Sequence, residues 1–295
     1  MKKRIVRLML WLCFIAGLSM SFCKFLDTQN TERVHEEAAQ IAGLYSTDNA
    51  LQNRMNLPGG GKKLKITKTN LKAKAGVKAW VKLRKMPETS PIPKEAAFLA
   101  DMDLEALQEI NPDVIGWIAI PGTKLSYPLV QGEDNEFYLD HNWKKESNIS
   151  GAIFLESTNQ RNFSDFHTII YGHRMRDNSM FGLLKYYQES AYWKEHPDFY
   201  VAVGKNIYRY AVFSAHETSI TSPVYRLDLE EKGLEKEFLQ FCIGSSVLLT
   251  DSIPEWEAYT TTSKVQVVTL STCTGRGHTT RWVVQGYLVQ KYFKT

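Results

Sequence analysis

The sequence predicts a mostly β domain over residues 95–295, a closed barrel or a sandwich, with helices ahead of it and a helical insertion before its last two strands. Three observations predict this. Eight short apolar runs of strand character follow residue 114. Turn residues such as Pro121-Gly122 and Gly204-Lys205-Asn206 separate neighbouring runs. Only two stretches between the runs carry helical spacing, and many short strands with few helices make barrels or sandwiches.

The 295 residues are 43% hydrophobic and 23% charged, close to the globular average. This excludes a disordered chain, a collagen-like repeat and a multi-span membrane protein. The net charge of +4 conceals a division. Residues 1–24 carry +5 and residues 54–94 carry +11, which leaves −12 for the rest. A uniformly basic nucleic-acid binder does not divide in this way, so no nucleic-acid partner is expected.

Lys2, Lys3 and Arg4 precede an apolar run from Ile5 to Phe22, broken by Arg7, Ser19 and Ser21. With Arg7 snorkelling to the headgroups, the run is long enough for a thin bilayer. Bulky Met20 and Phe22 disfavour signal cleavage, and Phe22 argues against a lipoprotein site at Cys23. Residues 1–24 are therefore read as a cytoplasmic Lys/Arg cap and a single-pass signal anchor, with the remainder outside.

Residues 25–94 are read as an extracytoplasmic helix followed by a basic linker. Val34, Ala38 and Ile41 recur at helical spacing. Pro58-Gly59-Gly60-Gly61 ends that pattern. Twelve Lys/Arg then stand against the single acid Glu88 in residues 54–94. The plain reading is a solvated linker. The sharper one is a patch that attracts anionic lipid or wall polymer.

Residues 95–110 have one apolar helical face, with Phe98, Met102, Leu104, Leu107 and Ile110 expected inside. Asn111-Pro112 stops that helix. The expected strands are Ile115–Ile120, Leu125–Val130, Ala152–Leu155, Thr168–Tyr171, Phe199–Val203, Ile207–Ala215, Val265–Ser271 and Trp282–Lys291. Helical insertions are expected over Met180–Glu195 and Leu229–Ile243.

The C-terminal hairpin carries the chemistry. Val265 to Thr272 reads as a buried strand ending at Cys273, and Arg281 opens the last strand after a polar loop. A thiol opposite a guanidinium is a candidate nucleophile. It needs a base, and the chain has seven histidines. His173 follows the apolar strand Thr168–Tyr171 and a glycine, so it too stands at a strand end. His278, in the hairpin loop, is the rival. From residue type and place alone, His173 weighs about as much as the other six together. Cys242 and Cys273 are the two cysteines beyond the anchor; one disulfide between them, or two thiols, are both open. Isolated His and Cys show no ligand spacing, so no metal or other cofactor is expected.

Thr269-Leu270-Ser271-Thr272-Cys273 followed by Arg281 resembles the TLxTC…R signature of sortases, and Tyr171-Gly172-His173 resembles the segment bearing their catalytic histidine. Asn111-Pro112-Asp113-Val114-Ile115-Gly116-Trp117-Ile118, Phe181-Gly182-Leu183-Leu184-Lys185-Tyr186-Tyr187 and the long helical insertion are similar to class B. The resemblance covers residues 95–295 and does not reach the basic stretch. It implies a closed eight-stranded barrel and a cysteine transpeptidase with Cys273 as nucleophile, His173 as acid and base, and Arg281 on the oxyanion. Ser271 and Thr272 are candidates for hydroxyl or backbone contacts to substrate, with strand filler the plain reading of a Thr beside a strand-end Cys. The substrate would be a secreted protein cut after Thr in an NPxTx-like or LPxTG-like motif. The acceptor would be an amine of a cell-wall precursor or a pilin. A papain-like order is excluded because the His precedes the Cys. A non-catalytic, wall-binding module with a Cys242–Cys273 disulfide is the alternative.

Overall fold

The computed structural model describes residues 29–44, 91–231, 233–248, 265–274 and 279–294. The expected anchor, the basic stretch up to residue 90 and His278 lie outside these residues. No helix among the described residues is long and apolar enough to cross a membrane.

Eight strands close into a barrel in the order β1-β2-β3-β4-β7-β8-β6-β5. They are β1 Val114–Ala119, β2 Ser126–Val130, β3 Ile153–Leu155, β4 His167–Tyr171, β5 Asp198–Val203, β6 Asn206–Ser219, β7 Val267–Cys273 and β8 Thr280–Phe293. Each overlaps an expected strand, and β6 and β8 run longer because they pair with each other along nearly their whole length. Pairs β2/β3 and β4/β7 are parallel; every other neighbouring pair is antiparallel. Closure, rather than a sandwich, leaves no strand edge unpaired. Alternation along β7 sends Val268 and Leu270 into the interior with Ile118, Leu129, Phe199 and Val284. Val267 points outward, beneath the insertion helix.

Residues 29–41 form helix α1, and Val34, Ala38 and Ala42 pack with Trp117, Tyr138 and Trp143 in a second core outside the barrel. The expected helix over 95–110 is two pieces, a 3-10 turn at Lys94–Leu99 and α2 at Leu104–Ile110. Asp103 accounts for the break: its carboxylate accepts the Ala106 N–H at 3.0 Å and starts a new helix. The register changes with it. Ala96, Leu99, Met102 and Leu107 are buried, while Ile110 is exposed. The Met180–Glu195 insertion is likewise a 3-10 segment, Phe181–Gln188, followed by α3, Ser190–Glu195. The insertion before β7 is α4, Leu234–Ser245, which buries Phe238, Leu239 and Cys242 against the barrel.

Candidate active site

Strand register brings the site together. Parallel β4 and β7 align Tyr171 with Ser271, so two residues further on His173 stands beside Cys273. Antiparallel β7 and β8 pair Cys273 with Arg281, and side chains directly opposite each other share a face. His173 thus meets, at one rim of the barrel, two residues of a hairpin about a hundred positions later in the chain. Gly172 makes the turn between strand and histidine. A Cβ there would press on the Ile153 methyl and lie 2.9 Å from the Phe181 ring.

The Cys273 thiol and the His173 ring are hydrogen-bonded, and each moves the other. The His173 bond is the main cause that lowers the Cys273 pKa; burial opposes it, and the Arg281, His173 and Arg174 charges assist. In return, the Cys273 bond is the main cause that raises the His173 pKa, against the effect of burial. Opposite shifts of this kind favour a thiolate–imidazolium pair. The half-buried thiol is open to attack a carbonyl carbon.

A backbone group fixes the ring. His173 Nε2 lies 2.6 Å from the Leu139 carbonyl, which only accepts, so Nε2 carries a proton. That leaves Nδ1 for the thiol. The sequence gives no side-chain signal for a carbonyl of this kind. Its place comes from Asn111, whose amide donates to Tyr138 Oη at 2.9 Å and the Trp143 carbonyl at 2.6 Å. Gly151, at φ +56°, lies under the same turn, where a Cβ would approach the Leu139 oxygen to 2.7 Å.

Arg174 is a second residue that sequence reasoning missed. Its guanidinium donates to the Thr274 carbonyl and ties the His173 loop to the end of β7. Its position beside His173 was the available signal. Tyr225 is a third; its hydroxyl lies 2.8 Å from Ser271 Oγ. Ser271 is therefore on the outer face with Cys273 but already hydrogen-bonded. Thr272 points the other way, and its buried Oγ1 has no hydrogen-bond partner.

The remaining described histidines are occupied elsewhere or lie away from the thiol. His167 bonds the Arg226 carbonyl and Thr269, His216 faces Ser214, His196 the Pro121 carbonyl, and His141 Asp140. His35 lies against Tyr127. Cys242 and Cys273 are both free thiols, so the disulfide alternative is overturned. The helical packing of α4 accounts for this: it holds Cys242 in the core, 3.0 Å from Gln285 Nε2. Among the described residues no group of His, Cys, Asp or Glu is arranged to hold a metal.

Comparison with known proteins fits this geometry. The sortase domain family model matches residues 118–289. Sortase B of Listeria monocytogenes is 34% identical over 195 residues, covering 64% of this chain and 75% of that protein. The Staphylococcus aureus sortase B–substrate complex superposes with a TM-score of 0.57 and 31% identity, over 63% of this chain and 84% of that one. Sortase B from B. anthracis in complex with AAEK1 gives a TM-score of 0.60 and 27% identity, over 90% of this chain and 99% of that one.

Proposed function

The chain belongs to the sortase family as a cysteine transpeptidase of class B, and on that premise we propose that it cuts a sorting motif of secreted proteins after Thr and passes the acyl group to an amine. The meeting of His173, Cys273 and Arg281 at one barrel rim, through the registers of β4, β7 and β8, carries this reading.

Cys273 as thiolate attacks the Thr carbonyl carbon, and Arg281 donates hydrogen bonds to the oxygen that gains charge. His173 as imidazolium gives its proton to the departing amine, which leaves a thioacyl enzyme. The neutral ring, oriented through Nε2 by Leu139, then takes a proton from the incoming amine as it attacks the thioester. The Cys273 thiolate leaves, and the pair is restored.

Residues 1–24 act as the membrane anchor, residues 25–94 as the helix and basic linker, and residues 95–295 as the catalytic domain outside. Helix α1, docked on the barrel, supports keeping that domain close to its anchor. The motif is NPxTx-like or LPxTG-like, and the amine belongs to a cell-wall precursor or a pilin. The +11 stretch 54–94 draws the enzyme to anionic lipid or wall polymer. Binding of the full chain to anionic vesicles should weaken with salt; salt-independent binding removes that role.

The test is incubation of the full-length chain with each motif peptide and a small amine, read by mass spectrometry. Cleavage after Thr with an amine adduct is the expected result. No acyl transfer from either peptide refutes the proposal.

A further inference from the structure

A cavity of about 210 Å³ lies between helix α1, the loop into β2 and the hairpin that follows His173. Its walls include Thr31, Glu32, His35 and Glu36 from α1, Lys124 and Tyr127 from the β1–β2 side, and Asp177 and Ser179 from the hairpin. His35 is 8% exposed. Neither of its ring nitrogens has a hydrogen-bond partner. A buried neutral ring with neither nitrogen bonded is costly, since its N–H lacks an acceptor and its bare nitrogen lacks a donor.

The rest of the lining says what kind of donor fits. Burial holds the His35 pKa down to about 4, so the ring is neutral near pH 7 and offers an acceptor nitrogen. Among the described residues of its lining, Glu32, Glu36 and Asp177 stand exposed together with Lys124. A neutral acceptor on the floor under carboxylates at the rim suits a cation with N–H donors, and repels an anion.

The cavity is also joined to the catalytic loop. Asp177 and Ser179 sit at the tip of a hairpin closed by the Arg174–Met180 bridge. At its base Phe181 N–H donates to the His173 carbonyl at 2.9 Å. One wall is tied in where Met180 N–H donates to Tyr127 Oη at 2.9 Å. The cavity thus shares a hairpin whose base is hydrogen-bonded to the residue that takes a proton from the incoming amine.

We propose that this cavity is a staging site for the primary ammonium group of the acyl acceptor. The inference rests on the transpeptidase reading above and adds a site for its second substrate. A primary amine has an ordinary pKa near ~10.4, so it arrives protonated at neutral pH. The ammonium donates to His35 and to the rim carboxylates, then crosses to His173, where it loses its proton and attacks the thioester. A stem-peptide amine of the cell-wall precursor and a pilin lysine share this chemistry.

The experiment measures the KM for amine in acyl transfer by the full-length enzyme. Glu32→Gln with Glu36→Gln removes two exposed charges from one helix and should raise that KM about five- to tenfold. His35→Phe keeps an aromatic ring against Tyr127 while removing the acceptor nitrogen, and should do the same. Glu237→Gln, an exposed carboxylate on α4, is the control and should leave the KM unchanged. Because His35→Phe risks the fold, binding is also read directly on the unaltered enzyme. Imidazole ¹⁵N resonances of His35 should shift on titration with Nα-acetyl-lysine methylamide and not with its Nε-acetylated form. That titration remains readable even if no motif peptide is cleaved, so failure of the transpeptidase reading is distinguishable from failure of this one. Tighter binding of a D-Ala-terminated stem peptide points to the precursor, and tighter binding of an all-L lysine peptide to a pilin. An unchanged KM in the carboxylate variant together with unmoved His35 resonances overturns the proposal.

Discussion

The two described cysteines, one at a strand end and one on a helix, have opposite chemistry. Cys273 ends β7 at the open rim, bonded to a titratable ring and facing two guanidinium groups. Cys242 sits on the buried face of α4, fully buried, with a neutral Gln285 amide as its partner. Burial pushes the Cys242 thiol up to about 12, while the Cys273 thiol is held below its ordinary value. Both are hydrogen-bonded, so the bond itself does not make a nucleophile. A partner that takes on charge, at a place solvent and substrate can reach, does.

The comparison breaks most sharply in turnover. Cys273→Ala should abolish cleavage and transfer with the fold retained, whereas Cys242→Ala should keep the chemistry and lose about 1–3 kcal/mol of stability to the cavity it leaves. Residual turnover in Cys273→Ala, by mass spectrometry, removes the nucleophile assignment.

His173→Ala should lower turnover by about 10²–10⁴-fold, the usual loss of a general acid and base. It should also move the Cys273 alkylation midpoint to higher pH, since His173 is the main cause of the lowered value. An unmoved midpoint contradicts the ion pair. The wild-type rate should be bell-shaped, rising as Cys273 deprotonates and falling as His173 loses its proton. The opposing shifts place its maximum between the ordinary His and Cys values.

Arg281→Lys separates a donor fork from a point charge. Lys retains the charge but not the planar set of five donors. A loss of about 10²–10³-fold in acylation rate is expected for an oxyanion donor, with the alkylation profile nearly unchanged. Near-normal turnover leaves Arg281 as a charge-balancing residue.

The smallest effect sharpens the buried side of the comparison. His167 shares Thr269 with Gln285, the partner of Cys242, and burial holds its pKa to about 4. A folded value below the ordinary 6.5 means that the unfolded chain binds the extra proton between those limits. His167 therefore supports the fold fully above pH 6.5 and progressively less as pH falls toward 4. Urea midpoints should drop over that window, and His167→Gln should flatten the slope. An equal slope in that variant assigns the acid sensitivity elsewhere.

Short apolar runs and the turn residues between them determined the eight strands, because both are local properties of the chain. The strand ends at Cys273, Arg281 and His173 were legible for the same reason. So were the family signature and the polar, turn-rich connections. Residue type and place alone did not single out the histidine that meets the thiol, and His173 came from the resemblance. The meeting depends on β4 lying parallel to β7, a pairing between segments about a hundred residues apart. Nor did sequence determine the split of the 95–110 helix, where one capping carboxylate outweighs a continuous apolar face. The Leu139 carbonyl and the orphaned His35 nitrogens are tertiary facts throughout. A backbone oxygen carries no residue signature, and whether a buried ring finds a partner is decided only when distant elements close around it.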